Sequence, residues 1–138
     1  MNIEKDYGGE ELALNMDRAV VENQNFRTTI WTGEHMQITL MCIKAGSEIG
    51  LEKHETLDQM LYILEGEGSL YTGKKEEDVK YIGEVGHGYA IVIPAGYYHN
   101  VVNKGSSPIK LFSVYAPPAH AKGTIHRTKE DSDREHHY

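Results

Sequence analysis

Short apolar segments separated by turn residues recur along most of the chain. The first spans residues 26–44, is rich in Thr, Ile, Trp and Met, and ends at Ala45-Gly46. Further segments follow at short spacing, each bounded by Gly, Pro, Asn or Ser: IGLEKH, QMLYILEG, GSLYTG, YIGEVG, GYAIVIPAG, YHNVVNKG and IKLFSVYAPP. Many short strands with turn residues between them indicate an all-β sandwich or barrel.

The two ends of the chain are more polar than its centre. Residues 1–25 predict an N-terminal arm with one short helix, in which Asn15 is the cap and Asp17 lies in the first turn, where a carboxylate suits the helix dipole. Residues 26–118 predict the barrel, and residues 119–138 predict a polar C-terminal tail. A length of 138 residues fits one domain, so we expect one barrel with at most one short N-terminal helix.

Composition and charge narrow the partners that such a barrel could have. Hydrophobic residues make up 39% of the chain and charged residues 25%, which is typical of a soluble globular protein. The net charge is −7 and no basic stripe is present, so nucleic acid is not an expected partner. No apolar run reaches the length of a membrane span, and the acidic start MNIEKDYGGEE has no apolar signal core. With Cys42 as the single cysteine, these features predict a cytoplasmic protein without a membrane partner.

One apolar hairpin carries a cluster of side chains that could bind a metal. Glu52 and His54 lie two residues apart on a strand and therefore project to the same side. ETLD is a plausible turn, and Gln59 then begins the returning strand, where it can lie across from His54. Leu61 and Ile63 follow on the same face, so the polar side chains lie where a ligand cavity opens at the mouth of a barrel. A carboxylate, an imidazole and an amide oxygen predict a metal site here; the alternative is an exposed polar pair.

A second stretch supplies a fourth candidate ligand. GYAIVIPAGYYHNVVN, residues 88–103, places His99 at the start of a strand. The turn before it contains Pro94 and Gly96, which fix φ or permit positive φ, and the apolar run YAIVI predicts a buried strand. Because His99 comes from a separate hairpin, it could complete a closed site with Glu52, His54 and Gln59.

The two stretches resemble the motifs of the cupin superfamily, in particular the small single-domain cupins of the cupin-2 type. The second motif, G-x5-P-x-G-x2-H-x3-N, is matched in full by Gly88, Pro94, Gly96, His99 and Asn103. The first motif, G-x5-H-x-H-x3,4-E-x6-G, is matched in spacing but altered in chemistry: Glu52 replaces the first histidine, His54 stands at the second, and Gln59 replaces the glutamate. Its glycines are Gly46 and Gly66, and the resemblance covers residues 38–115.

The resemblance implies a jelly-roll barrel, also called a double-stranded β-helix, with one divalent metal ion in its mouth. The implied ligands are Glu52, His54, Gln59 and His99. One carboxylate, one amide and two imidazoles leave Zn, Mn, Fe and Ni open as the metal. The set is similar to the zinc site of mannose-6-phosphate isomerases, with Glu and Gln exchanged in order. Two histidines and a carboxylate are also the ingredients of the facial triad in non-haem iron oxygenases.

Three functions follow as hypotheses, each with a small oxygen-rich molecule as the ligand. The first is sugar-isomerase-like chemistry, the second is a non-haem metal dioxygenase, and the third is a non-catalytic binding module. No catalytic residue can be named, although Tyr97 and Tyr98 could reach the cavity mouth. None of the four arginines lies in the motifs, which argues against a sugar phosphate; they are Arg18, Arg27, Arg127 and Arg134.

The strand at GEHMQITLMCIK leads to two further predictions. Its more polar face carries His35, Gln37, Thr39 and Met41; that face could line the cavity, but we expect it to be solvated. The strand has apolar residues on both of its faces, which is more than one barrel interior requires. Because an exposed apolar face normally marks an interface, we predict a homodimer.

Overall fold

Antiparallel strands make up most of the structure, a computed structural model that describes residues 1–135. The α-helices within this range are α1 (Met16–Glu22) and α2 (Lys129–Glu135), with one 3-10 turn at Glu76–Asp78. The strands are β1 (Arg27–Thr32), β2 (Gln37–Ile43), β3 (Glu52–Lys53), β4 (Asp58–Glu65), β5 (Gly68–Gly73), β6 (Lys80–Val85), β7 (Ala90–Ile93), β8 (Tyr98–Val102), β9 (Ile109–Ala116) and β10 (Ile125–His126).

The strands form two sheets that face each other across one core. The larger sheet has the order β10-β1-β2-β9-β4-β7, and the smaller has the order β3-β8-β5-β6. Alternate residues of both sheets point inward and form the core, which includes Met41, Ile43, Leu61, Ile63, Val101, Ile109 and Leu111. The predicted all-β jelly-roll class is confirmed.

Helix α1 covers the outer face of the larger sheet. Asn15 caps this helix as predicted, since its side-chain oxygen accepts a hydrogen bond from the Arg18 N–H at 3.1 Å. Ala19 and Val20 of the helix pack with Leu40 in a second buried cluster. The apolar outer face that suggested a homodimer is therefore covered by the chain's own N-terminal helix.

The predicted orientation of β2 was wrong. Gln37 and Thr39 are fully buried and lie on the same inward face as Met41. The physical reason is α1, which occupies the opposite face and leaves the more polar one to line the barrel interior. His35 lies in the turn before the strand and is exposed.

Strand β7 is less buried than its apolar sequence predicted. Ile91 and Ile93 point into the core, but Ala90 and Val92 are exposed, Val92 to 70%. The strand is the last of its sheet, and no helix covers its outer face among the described residues.

The C-terminal segment has more structure than the sequence predicted. Strand β10 pairs with β1, with Arg27 opposite His126 and Thr28 opposite Ile125. Helix α2 follows as a second short helix, and its Ser132 is buried. Residues 136–138 of the predicted tail lie outside the described residues. Neither α1 nor α2 has the length and apolarity needed to cross a membrane.

We expect Leu40→Ala to lower the free energy of unfolding by about 2–5 kcal/mol, because it removes a fully buried side chain from the contact between α1 and the sheet. Val92→Ala is the control, since Val92 is mostly exposed and its truncation should change the value by at most about 0.5 kcal/mol. Denaturant unfolding measures both, and equal effects of the two substitutions would show that α1 does not close this face.

Candidate metal centre

Pairing of the two-residue strand β3 with β8 brings together the two sequence stretches that carry the predicted ligands. Glu52 is the direct antiparallel partner of His99, so the two side chains lie on the same face. His54 follows directly after β3. The Gly96 N–H donates to the His54 carbonyl at 2.8 Å and holds this end of the hairpin against the turn that precedes His99. Gly96 has a φ of +88°, a conformation that glycine adopts without strain.

Three of the four predicted ligands converge in space. One potential ligand atom from each of Glu52, His54 and His99 lies within 4.8 Å of the other two. The Oε1 atom of Glu52 is 3.1 Å from Nε2 of His99 and 3.6 Å from Nε2 of His54. Glu52 and His54 are largely buried and His99 is fully buried, so the cluster lies at the inner end of the barrel mouth.

Gln59 approaches from the facing sheet. It begins the inward row of β4 that continues with Leu61 and Ile63, and it is buried. Its Nε2 donates to Ser113 Oγ at 2.9 Å, which orients the amide. Its cross-strand partner is Tyr115, whose ring contacts the ring of His54 at a centroid distance of 5.7 Å. Gln59 is therefore near the cluster, with its amide nitrogen already occupied.

The donor atoms of these side chains fit a metal ion. Oε1 of Gln59 and Nε2 of His54 are buried without a hydrogen-bond partner among the described residues, and Nε2 of His99 lies beside Oε1 of Glu52. Buried polar atoms are nearly always satisfied by protein, water or a ligand. Imidazole nitrogen, carboxylate oxygen and amide oxygen are all ligands of divalent cations. The chemistry of the set thus matches the metal site that the sequence predicted.

Glu52 carries the negative charge of the cluster. Burial raises the pKa of its carboxyl, but the adjacent imidazoles of His54 and His99 outweigh that effect and hold the pKa well below its usual value. The positive charge of Arg27 acts in the same direction. The carboxylate is therefore ionised at neutral pH and available as a ligand.

Two residues near the cluster were not predicted from the sequence. Tyr115 is fully buried at the end of β9, where burial raises the pKa of its hydroxyl and the charge of Arg27 partly opposes that rise. Arg27 is also fully buried, on β1. Alternation along β1 and β9 could have placed both side chains on an inward face, but neither lies in the sequence motifs.

Other aromatic and histidine side chains considered in the sequence lie outside the cluster. Tyr97 is partly buried and packs against the core. Lys53 Nζ lies over the Tyr98 ring, 4.8 Å from the ring centroid. Tyr62 stacks on Phe112, on the sheet face opposite Gln59. His87 is exposed, and its Nδ1 lies 2.8 Å from the Leu64 carbonyl oxygen.

The chain belongs to the cupin family. The sequence profile of the cupin domain matches residues 39–115, and this range contains all four predicted ligands. The resemblance identified from the two motifs is thereby confirmed.

Individual relatives agree with this assignment. The chain is 47% identical over 128 residues to the uncharacterized protein YrkC of Bacillus subtilis, a match that covers 93% of this chain and 69% of that protein. The crystal structure of BH2720 from Bacillus halodurans superposes with a TM-score of 0.92 at 44% identity, covering 94% of this chain and 98% of that one. A predicted oxalate decarboxylase from Thermotoga maritima has a TM-score of 0.54 at 25% identity, covering 62% and 69% of the two chains.

We expect substitutions of the four ligands to change metal content unequally. Glu52→Gln leaves neutral donors alone and should lower occupancy sharply, because Coulomb attraction is strong in a cavity of reduced dielectric. His54→Ala and His99→Ala should each lose metal, since each removes a nitrogen donor. Gln59→Glu adds a second charge and should retain the ion. Elemental analysis and melting temperature measure these effects, with chelator reversing the stabilisation by metal.

His87→Ala is the matched control, because it removes an exposed imidazole outside the cluster. Full metal occupancy in Glu52→Gln would contradict the assignment of Glu52 as the charge-bearing ligand.

The metal-free protein should show the titration of Glu52 in its stability. The folded-state pKa lies below the usual value of 4.5, so the unfolded state takes up the proton first as the pH falls. The stabilising contribution is present above about pH 4.5 and is lost as the pH falls through the folded-state pKa. Glu52→Gln lacks this titration and should lose less stability on acidification. Denaturant unfolding of chelator-treated protein between about pH 6 and pH 3 tests this, and parallel profiles would contradict it.

Proposed function

We propose that the chain binds one divalent metal ion through Glu52, His54, Gln59 and His99, and that a small oxygen-rich molecule binds beside it. The observation that carries this proposal is the convergence of the Glu52, His54 and His99 ligand atoms within 4.8 Å in the mouth of a cupin barrel. The Gln59 oxygen on the facing sheet has no hydrogen-bond partner in the part of the chain that the structure describes, which supports a fourth ligand.

The donor set suits a borderline metal. Two imidazole nitrogens and two oxygens favour Zn, Mn, Fe or Ni over a purely oxygen-bound or thiolate-bound ion. Such an ion, when bound, supplies Lewis acidity toward carbonyl, hydroxyl or carboxylate oxygens. Glu52 contributes one negative charge, so a divalent ion in this set keeps a net positive charge toward the ligand.

The surrounding residues of the chain have their own roles in this proposal. Ser113 holds the Gln59 amide with its oxygen free. Tyr115 keeps its proton near neutral pH, because burial raises the pKa of its hydroxyl. It lies against His54 and can donate a hydrogen bond to a ligand in the same space.

Sugar-isomerase-like chemistry of the mannose-6-phosphate isomerase type requires a proton acceptor near pH 7. Glu52 is assigned to the metal, and Tyr115, which contacts His54, stays protonated. This makes an isomerase the less supported reaction.

A metal-dependent dioxygenase is the second candidate. The observation that favours it is that Glu52, His54 and His99, which converge in the structure, form a set of two histidines and one carboxylate. Such a reaction needs a chelating ligand and dioxygen rather than a further base. The Thermotoga maritima relative is a predicted oxalate decarboxylase, which adds organic acids to the ligands worth testing. The homodimer and the cytoplasmic location stay predictions from the sequence.

We expect protein purified without chelator to contain close to one divalent ion per chain. After removal and reloading with Fe, Mn, Zn or Ni separately, each form is tested for oxygen uptake with small organic acids and for isomerisation of free sugars. Oxygen uptake that depends on Fe and is lost in His99→Ala would support the dioxygenase. Metal and ligand binding without turnover would assign a binding module, and absence of metal from both the purified and the reloaded protein would refute the proposal.

A further inference from the structure

Arg27 points into the barrel rather than toward solvent. It lies directly across from Met41 on β2, whose side chain belongs to the core, and cross-strand partners share a sheet face. Its side chain is 1% exposed. A fully buried arginine is uncommon because its charge loses hydration, unless a partner compensates for it.

The partners of Arg27 do not neutralise it. Nη1 lies 2.9 Å from His126 Nδ1 and donates to Ser132 Oγ at 2.9 Å. Nε is buried without a hydrogen-bond partner among residues 1–135. In the same part of the chain, Arg27 belongs to none of the ion pairs found within 4.0 Å. The guanidinium thus keeps one buried N–H, on Nε, whose missing hydrogen bond an anion could supply.

The Arg27 guanidinium lies near the candidate metal centre. The charge of Arg27 acts on both Glu52 and Tyr115. The Tyr115 ring in turn contacts His54. Arg27 and the predicted ligands therefore both neighbour Tyr115 within one barrel interior.

Two threonines beside Arg27 add further unsatisfied groups. Thr29 of β1 and Thr39 of β2 are cross-strand partners. They lie two residues from Arg27 and Met41, on the same inward face. Both hydroxyl oxygens are buried and have no hydrogen-bond partner among the described residues. One guanidinium N–H and two hydroxyls on the same face form a set of donors suited to an anionic oxygen group.

We propose that Arg27, Thr29 and Thr39 form a carboxylate-binding subsite, so that the ligand of this protein is a small organic acid. Its carboxylate binds the Nε edge of Arg27, and a second oxygen of the ligand is directed toward Glu52, His54 and His99. Only this second contact rests on the proposed metal function. A carboxylate fits better than a phosphate, because Nη1 already serves the C-terminal segment and one guanidinium edge matches one planar carboxylate.

The subsite is separable from the structural role of Arg27. Contacts to His126 and Ser132 attach the C-terminal segment to β1, and Thr39 takes no part in them. Arg27→Lys keeps the positive charge but lacks the planar edge, and Thr39→Val removes a hydroxyl at nearly constant shape. Arg18→Lys is the matched control, since Arg18 is exposed and pairs with Glu22 on the surface.

The test compares glycolate with glycolamide, which differ in the carboxylate alone, by NMR titration of chelator-treated and metal-loaded protein. We expect the wild-type chain to prefer glycolate by about tenfold or more, because a buried site built for a charged group rejects the neutral analogue. Arg27→Lys should remove most of this preference, Thr39→Val should reduce it about threefold, which corresponds to one hydrogen bond, and Arg18→Lys should leave it unchanged.

The possible outcomes separate the two proposals. If Arg27→Lys lowers the melting temperature but leaves the preference for glycolate unchanged, the subsite is overturned and Arg27 is a purely structural residue. If Arg27→Lys does not fold, an unchanged preference in Thr39→Val overturns it equally. Inorganic phosphate that competes more strongly than glycolate would overturn the carboxylate assignment. A preference that depends on Arg27 in a chain that takes up no metal would refute the metal proposal and keep the subsite.

Discussion

The pairing of Glu52 with His99 is the contact on which the candidate site depends. It joins two segments that lie 47 residues apart and comes from a strand of only two residues. Once β3 adds to the edge of the smaller sheet, the side chains at 52 and 99 must share a face, and His54 lies beside them. The ligand geometry therefore follows from backbone hydrogen bonding rather than from the attraction among the ligands themselves, which are all costly to bury.

The same strands build both the apolar core and the polar site. Inward positions of β4 change from Gln59 to Leu61 and Ile63, and those of β9 change from Leu111 to Ser113 and Tyr115. Because inward residues alternate along a strand, a change of residue type partway along each strand divides the interior into an apolar end and a polar end. The apolar end stabilises the fold, while at the polar end Oε1 of Gln59 and Nε2 of His54 have no hydrogen-bond partner within residues 1–135.

The barrel and the predicted ligands could be inferred from the sequence because their signals are local. Glu52 and His54 are two residues apart, Gln59 follows across one turn, and His99 lies in a motif with fixed glycine and proline positions. The inward direction of Arg27 and Tyr115 has no comparable local signal. It depends on which face of the larger sheet α1 covers, and the β1–β10 pairing joins residues 99 positions apart. Helix α2 is polar and short, so its sequence resembles that of an unstructured tail.

The two sheets are not protected to the same degree. The larger one is packed on both faces at its centre, whereas β3 is a two-residue edge strand whose ladder partner is β8. Local opening at an edge requires much less free energy than global unfolding. The amide hydrogens of β2 and β9 should thus exchange far more slowly than those of β3, and Glu52 can separate from His99 while the rest of the barrel stays folded. An ion held between these two side chains would then be released by the opening of one short edge strand, without unfolding of the barrel.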